Sequence, residues 1–453
     1  MEPKKRQDTV LDACSEKVQH STKRGISRRK FVQTSAGVAA AGALLRKRAF
    51  AAPRPLKIGY ISPETGGLAV FGETDDFVID TIRKHVQGGI PAGGTTRQVE
   101  ILVRDSQSSP NRCAEVAAQL IKADKVDLMT VASTPETVNP VSDQCEVNQV
   151  PCVSTDAPCQ PYFFGRGGNP DKGFDWTYHF FFSTDVFVQV LCDLFDSVPT
   201  NKVLGLLLGN DIEGNMFSDP VKGFPPKFEA RGYKVFDPGR FLISNTDFSA
   251  IISDLKNAHA EAVFVNTPFP AFSNFWNQAA QQGFKPKVIT PTRSAEFTAA
   301  IEALGPLGKD LSVEIWWSPA YPFKSSLTGQ SAAQLCQAYE DFKHKEWTML
   351  LGFRYALFEV GFDVFKRAQN PDSAASVIDA VRKTKIDTIV GPVQWQGPPP
   401  NKWTEILFKN CCTTPMVGGQ WVPGKKWMYD LFVVDNRRYP MIPVQRKAVP
   451  LPA

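Results

Sequence analysis

The chain has 453 residues, of which 43% are hydrophobic and 21% charged, and a formal net charge of +5 at pH 7. This length and composition are typical of a globular protein with two domains. Residues 1–51 carry 12 Lys or Arg and 4 Asp or Glu, so the rest of the chain has a net charge of −3. Because no cluster of Lys and Arg follows, we expect no nucleic-acid partner.

The segment 1–51 has the layout of an export signal. The twin arginines Arg28-Arg29 begin the run Arg-Arg-Lys-Phe-Val, and a short apolar stretch over 38–45 precedes the cleavage-type ending at 49–51. A basic tail would not explain that ending. No run of about 20 apolar residues is present. We therefore expect a twin-arginine signal peptide, a periplasmic protein starting near Ala52, and no stable membrane insertion after cleavage.

Nine cysteines are present, one of them Cys14 in the leader. Cys145 and Cys152 are close enough in sequence for a disulfide, with Cys113 or Cys159 as competing partners. The alternative is a set of free, buried thiols, since twin-arginine cargo usually folds in a reducing compartment. The sequence leaves both open.

After the leader, short apolar runs alternate with segments of helical period. The predicted strands of the first half are 56–61, 99–103, 126–131 and 150–153, and those of the second half are 202–208, 233–236, 262–265 and 287–289. Helices are predicted around 332–342, 349–368 and 374–383, followed by a β-rich tail with a hairpin at 421–429. The alternation predicts an α/β protein with two Rossmann-like lobes built on parallel sheets.

Polar residues follow three of the first four predicted strands, where open α/β sheets bind ligands. Capping and turn chemistry would explain any one of these loops, but three loops at one sheet edge predict a pocket. The polar residues concerned are Ser62, Thr65, Ser133, Thr134, Thr155 and Asp156, and Phe71, at the predicted start of the helix after the first loop, is the seventh candidate.

Six segments carry a resemblance to a known family. In chain order they are "KIGYISPETGGLAVFG", "VRDSQSSPNRCAEVAAQLI", "VDLMTVASTPETVNPVSDQCEVNQVPCVSTDAP", "YHFFFSTD", "AVFVNTPFPAFSNFWNQAAQQGFKPK" and "IVGPVQWQG". Over residues 55–435 the chain resembles the solute-binding proteins of branched-chain amino acid type ABC transporters.

The resemblance implies the type I periplasmic-binding fold, in which three crossover strands join two lobes. It implies crossovers near Asp175–Phe180, Thr290–Arg293 and Val390–Val393. The implied domains are the signal peptide 1–51, lobe 1 over 52–178 and 291–390, and lobe 2 over 179–290 and 391–453.

For the ligand, the resemblance implies that Ser133, Thr134 and Thr155 hold a carboxylate. The acid that should meet an ammonium group is missing from the loop Asn266–Phe269, and Ile212 replaces an expected tyrosine. Because an unpaired ammonium in a closed cleft costs several kcal/mol, a standard branched-chain amino acid is disfavoured. Asp156, Asp211 or Glu213 could supply a carboxylate instead.

Aromatic residues near the implied crossovers, in 176–180 and 316–321, favour a planar solute, although core packing is the alternative for each ring. Arg293 is a candidate partner for a ligand carboxylate. The alternative is that it forms a surface salt bridge. These features favour an aromatic or other small organic acid, or an amino-acid-like solute. Besides the seven loop residues above, the candidate ligand-binding residues are Tyr178, Asn210, Asp211, Asn266, Thr267, Phe269, Arg293 and Trp317.

An enzyme is not expected, because no nucleophile, zinc or phosphate-loop motif occurs and only His179 among the later histidines lies near the implied cleft. We expect no catalytic residues, no metal and no cofactor. The expected partners are a small molecule and the permease and ATPase subunits of an ABC importer, with the chain itself a monomer. The alternative is a sensor subunit that presents its liganded state to a membrane signalling partner.

Overall fold

The structure is a computed structural model that describes residues 53–395 and 406–452. Residues from Arg54 onward form one compact unit. The predicted signal peptide 1–51 lies outside the described residues.

Each of the eight predicted strands has a counterpart within a few residues, and the described residues form further short strands that the sequence analysis did not predict. In chain order the strands of the described residues are β1 (Leu56–Ser62), β2 (Ile90–Ala92), β3 (Thr95–Arg97), β4 (Val99–Asp105), β5 (Leu128–Ala132), β6 (Cys152–Thr155), β7 (Thr177–Phe181), β8 (Val203–Gly209), β9 (Lys234–Phe236), β10 (Arg240–Phe241), β11 (Ala262–Asn266), β12 (Val288–Thr292), β13 (Ser312–Ile315), β14 (Lys385–Thr388), β15 (Gly391–Gln394), β16 (Ile406–Phe408), β17 (Cys411–Thr413), β18 (Val417–Pro423) and β19 (Tyr429–Asp435).

The α-helices follow the segments of helical period. They are α1 (Asp75–His85), α2 (Pro110–Gln119), α3 (Pro135–Asn148), α4 (Cys159–Gly165), α5 (Thr184–Asp196), α6 (Ile212–Phe217), α7 (Pro225–Glu229), α8 (Ser249–Asn257), α9 (Phe269–Gln281), α10 (Thr298–Ala303), α11 (Ala332–Lys343), α12 (Leu350–Arg367) and α13 (Ala374–Arg382). None of these helices is long and apolar enough to cross a membrane.

The first sheet has seven strands in the order β16-β17-β7-β6-β5-β1-β4, parallel except for β16. Alternate side chains of each strand enter different cores, as the pleat requires. Tyr60 and Leu128 pack in the core that includes α12, while Ile61 and Met129 pack in a second core with α2 and α3. Helices therefore cover both faces, which explains why the strands read as continuous apolar runs.

The second sheet is parallel and has the order β10-β8-β11-β12, with β9 also paired to β8. A third, antiparallel sheet has the order β13-β18-β19, and β18 and β19 form the predicted hairpin. Helix α5 packs against all three strands of the third sheet. We call the first sheet with its helices the first lobe, and the second and third sheets with theirs the second lobe.

The chain passes between the lobes at 182–183, 316–331 and 414–416, later than the sequence predicts. The predicted crossover at Asp175–Phe180 lies largely inside β7, and that at Thr290–Arg293 overlaps β12, which pairs with β11 throughout. The one at Val390–Val393 overlaps β15, which turns back onto β14. The sheets thus place 293–315 with the second lobe rather than the first.

Candidate ligand-binding site

A small cavity lies between the two lobes, beside the carboxyl ends of β5, β6, β11 and β12. Its volume is about 20 Å³ in this arrangement of the lobes, room for little more than a water molecule. Its wall is formed by Phe71, Thr134, Asp156, Pro158, Phe181, Phe182, Phe187, Glu213, Asn266, Thr292, Arg293, Glu296, Glu314 and Trp316. This position matches the rule that ligands of parallel sheets bind beyond the strand carboxyl ends.

The loop after β5 brings Thr134 to the cavity at the start of α3. Its backbone carbonyl accepts bonds from the amides of Thr137 and Val138 at 2.9 and 3.0 Å, while its side chain makes no capping bond. Its hydroxyl oxygen is buried and has no hydrogen-bond partner among the described residues. Burying a hydroxyl without a partner is costly, so this hydroxyl is available to a bound molecule.

The loop after β6 brings in Asp156, whose carboxylate is neutralised by a buried arginine of α12. Arg354 pairs with Asp156 and donates from Nε to Oδ1 of Asp75 at 3.2 Å. Tyr60 donates to the same oxygen of Asp75 at 2.8 Å. Burial raises the pKa of Asp75, and Arg354 opposes that shift. The charge of Asp156 is therefore matched inside the first lobe.

Arg293, directly after β12, is held by carboxylates on both lobes. Its Nη1 lies 2.6 Å from Oδ2 of Asp211 and 3.5 Å from Oε2 of Glu213, and its Nη2 lies 3.5 Å from Oε2 of Glu136 on α3. Burial lowers the pKa of Arg293, but the three carboxylates outweigh burial and raise it. The Glu136 contact joins the first lobe to the second.

Arg293 has a φ of +61° and Asp156 one of +72°, both in the left-handed region. Non-glycine residues are rare there, and such backbone strain clusters at functional sites. At both positions the backbone turns a charged side chain toward the cavity wall.

Glu213, near the start of α6, is a buried acid in the second-lobe wall. Its Oε2 accepts a bond from Nδ2 of Asn266 at 3.1 Å, and that amide also donates to Thr292 at 3.0 Å. Burial raises the pKa of Glu213 to about 8, although Arg293 opposes the shift. Glu136 and Asp211 add to the increase by repulsion.

A second pair of buried acids, Glu296 and Glu314, forms another part of the wall. The two carboxyl groups are close enough for each to affect the ionisation of the other. Burial raises the pKa of both, and for Glu314 the neighbouring Glu296 raises it further. Two carboxyl groups in contact share a proton rather than both ionising.

Aromatic rings complete the wall. Trp316 packs edge-on against Phe181 with ring centroids 5.1 Å apart, and Phe71 packs edge-on against Phe297 at 4.8 Å. Phe182 packs against Phe187 at 5.3 Å. These rings give the cavity an apolar surface beside its carboxyl groups.

Five of the predicted binding residues lie in the cavity wall: Phe71, Thr134, Asp156, Asn266 and Arg293. Asn210 and Asp211 instead line an open groove outside the cavity, where Arg293 forms part of both walls. The other eight lie outside the cavity wall.

Among these eight, Thr155 and Thr65 use their hydroxyls within the first lobe. Thr155 donates to the carbonyl of Phe180 at 2.7 Å, and Thr65 donates to Asp105 at 2.6 Å in an exposed loop. Ser62 is buried at the end of β1, and its hydroxyl has no hydrogen-bond partner among the described residues. Ser133 is buried beside Thr134, with a φ of +153°.

The remaining four are Tyr178, Trp317, Thr267 and Phe269. Tyr178 packs against Trp395, and Trp317 donates to the carbonyl of Ile389 at 3.0 Å. The backbone carbonyl of Thr267 accepts from Ser294, and Phe269 begins α9 against the core.

The acids Glu296 and Glu314 and the ring of Trp316 are wall residues outside the predicted set, and Glu213 was named only as an alternative source of a carboxylate. One signal was available for the tryptophan. Trp316 and Trp317 are adjacent in extended chain, where successive side chains point to opposite sides, so only one of them can face the cavity. For Glu296 and Glu314, no local sequence pattern distinguishes a buried acid from an exposed one.

His179 belongs to the core rather than to the cavity. Its Nε2 donates to the carbonyl of Ala157 at 2.6 Å, its Nδ1 lies 2.8 Å from the hydroxyl of Ser154, and its ring stacks on Tyr162. Burial lowers its pKa to about 3. The ring is therefore neutral and structural. The eight cysteines of the described residues are free and buried.

Two lobes that enclose a cavity at the carboxyl ends of their strands define a two-lobed binding protein. A sequence model of the periplasmic binding protein family matches residues 55–402. The chain belongs to this family, which confirms the resemblance seen in the sequence. Both the family and the fold are those of substrate-binding proteins.

Solved structures share the fold at low sequence identity. A leucine-binding protein from Thermotoga maritima has a TM-score of 0.66 and 21% identity, over 84% of this chain and 99% of that chain. A solute-binding protein of an ABC transporter from Rhodopseudomonas palustris was solved in complex with 3,4-dihydroxybenzoic acid. It has a TM-score of 0.65 and 18% identity, over 84% of this chain and 96% of that chain. A substrate-binding protein of a branched-chain amino acid transporter from Streptococcus pneumoniae was solved in complex with isoleucine. It has a TM-score of 0.62 and 16% identity, over 84% of this chain and 100% of that chain.

Proposed function

We propose that this chain is an extracytoplasmic solute-binding protein that captures a small molecule between its lobes and delivers it to an ABC importer. The observation that carries the proposal is the cavity with walls from both lobes, at whose side Arg293 contacts Glu136. A molecule that touches both walls stabilises the closed arrangement by its differential contacts.

The proposal includes the route and the partners that the sequence predicts. The twin-arginine segment 1–51 directs the folded chain to the periplasm. There a monomer binds its solute and docks on the permease and ATPase subunits of an importer.

The sequence favours aromatic or other small organic acids and amino-acid-like molecules as solutes, and the proposal extends to small organic solutes in general. Aromatic rings in the wall and the hydroxyl of Thr134 support a solute with a planar or apolar body and a polar group. Two structures of the same fold contain solutes of these kinds, 3,4-dihydroxybenzoic acid and isoleucine.

Binding is tested by a thermal-shift screen of residues 52–453, refolded to remove carried-over solute. A ligand at 100 times its Kd adds about 2.7 kcal/mol to the free energy of unfolding, enough for a shift of a few degrees. Thr134→Val should weaken binding of any hit. The control is Thr95→Val in the exposed strand β3, which should leave binding unchanged.

Delivery is tested with vesicles that contain the permease and ATPase subunits. Liganded protein should stimulate ATP hydrolysis more than ligand-free protein does. A solute that binds tightly without stimulating hydrolysis would contradict delivery and favour the sensor alternative.

A further inference from the structure

The charges that face the cavity are unequal. Four carboxyl side chains line it, those of Asp156, Glu213, Glu296 and Glu314, against the single cation Arg293. Arg354 lies behind Asp156 and matches that one carboxylate. Arg293 is already paired with Asp211 and Glu136, so the carboxyl groups of Glu213, Glu296 and Glu314 outnumber the cations that the wall offers them.

The charge of Arg293 is already more than matched by acids, although its Nε has no hydrogen-bond partner among the described residues. Its guanidinium already meets Asp211, Glu213 and Glu136 at 2.6 to 3.5 Å. A ligand carboxylate at this position would displace one of these acids and would lie beside the other two. Like charges so close in a buried site repel strongly, so the predicted pairing of Arg293 with an organic acid is disfavoured.

The rest of the wall suits a cation. Trp316, Phe71 and Phe181 present aromatic rings, and the faces of such rings attract ammonium groups. The hydroxyl of Thr134, 1% exposed and without a partner among the described residues, can accept a hydrogen bond from an N–H group. This hydroxyl points to a hydrogen-bonding ligand independently of the acids.

Resting on the proposed capture of a solute, we infer that the cavity binds a protonated organic amine with a small apolar or aromatic body and no carboxylate. Its ammonium group donates hydrogen bonds to the carboxylates of the wall and to Thr134. Its body packs against the rings. Because carboxylates and a hydroxyl accept N–H bonds, a primary ammonium fits better than a quaternary one.

The test uses molecules with the same body and different charge. Thermal shifts and Trp fluorescence are measured for residues 52–453, refolded, with 2-phenylethylamine, phenylalanine and 3-phenylpropanoate. A second set is 3-methylbutylamine, leucine and 4-methylpentanoate. We expect binding of at least one amine, at least about tenfold tighter than of its acid counterpart.

Two variants test whether the amine binds at the acids of the cavity wall. Glu213→Gln and Glu314→Gln should each weaken amine binding about tenfold or more, because each removes a charged acceptor. Asp254→Asn, on the exposed face of α8, should leave it unchanged. The unliganded melting temperature of each variant shows that it is folded.

The outcomes separate this inference from the proposed function. Binding of an acid or an amino acid without binding of the amines overturns the amine inference and leaves solute capture standing. Absence of binding by all six molecules also overturns it. Solute capture itself fails only if the broader screen gives no ligand of any class.

Discussion

At Glu213, burial and charge act against each other on one carboxyl group. The folded chain holds its pKa at about 8, whereas an unfolded chain has an ordinary value near 4.3. A group whose pKa is raised in the folded state stabilises the protein below the unfolded pKa. That contribution is lost as the pH rises through the folded pKa.

We therefore predict that unliganded wild type loses stability relative to Glu213→Gln between about pH 5 and pH 8. The glutamine cannot ionise, so it should remove a slope of about 1.4 kcal/mol per pH unit in this window. Urea unfolding at several pH values measures the difference. Glu115→Gln, at an exposed carboxylate on α2, should show the same pH dependence of the unfolding free energy as wild type. If Glu213→Gln also ran parallel to wild type, the raised pKa of Glu213 would be contradicted.

The same residue makes amine binding pH-dependent. A bound cation favours the ionised carboxylate, so affinity for an amine hit should rise from pH 6 to pH 8, with release of protons. Isothermal titration in buffers of different ionisation enthalpy counts those protons. A constant affinity across this range would show that Glu213 does not face the ammonium group.

At the residue scale, sequence reasoning located the loops of the site better than its side chains. Thr134 and Asp156 follow strands that could be recognised from their apolar runs, so their approach to the cavity was predictable. Tertiary packing decides whether a hydroxyl is left free at the cavity or donates to a backbone carbonyl. The hydroxyl of Thr134 has no partner among the described residues, whereas that of Thr155 donates to the carbonyl of Phe180. The partners of Arg293 come from three separate segments, which no local pattern connects.

At the scale of elements, α12 shows how one helix supports both the core and the site. Nearly all its residues are buried, and it packs against β5 and β6 of the first sheet. It therefore supplies Arg354 to Asp156 from inside the core. Its two glycines allow a direct test of how tightly this helix packs.

We predict opposite effects for alanine at the two glycines. A Cβ at Gly352 would overlap the indole ring of Trp317, whereas one at Gly361 would make an ordinary contact 3.4 Å from Leu128. Overpacking costs about 1–3 kcal/mol, while Gly to Ala in a helix gains about 0.5–1 kcal/mol. Denaturant unfolding should show Gly352→Ala destabilised and Gly361→Ala neutral or stabilised.

Similar stabilities for these two variants would mean that Trp317 moves away easily.

Strands and helices were predictable because each has a local period that its residues display. The crossover positions were not, because they depend on which sheet accepts a strand. β15 illustrates this, since a run that reads as a crossover instead pairs with β14.

At the scale of the whole molecule, the contact between Arg293 and Glu136 connects the lobes. This contact must break if the cavity opens, whereas Asp211 and Glu213 hold Arg293 on the second lobe. The position of Arg293 between the cavity and the outer groove places this contact where a solute would enter. Opening and binding are therefore coupled through one side chain.

We predict that Glu136→Gln shifts the ligand-free protein toward open forms. An ion pair with partly exposed partners contributes up to about 1 kcal/mol, which corresponds to a change of up to about fivefold in the ratio of closed to open molecules. Small-angle X-ray scattering of ligand-free protein should give a larger radius of gyration for Glu136→Gln than for wild type. Glu115→Gln on α2, whose partner Arg112 lies on the same helix, is the matched control. Identical scattering from all three proteins would show that apolar contacts, and not this ion pair, set the closed arrangement.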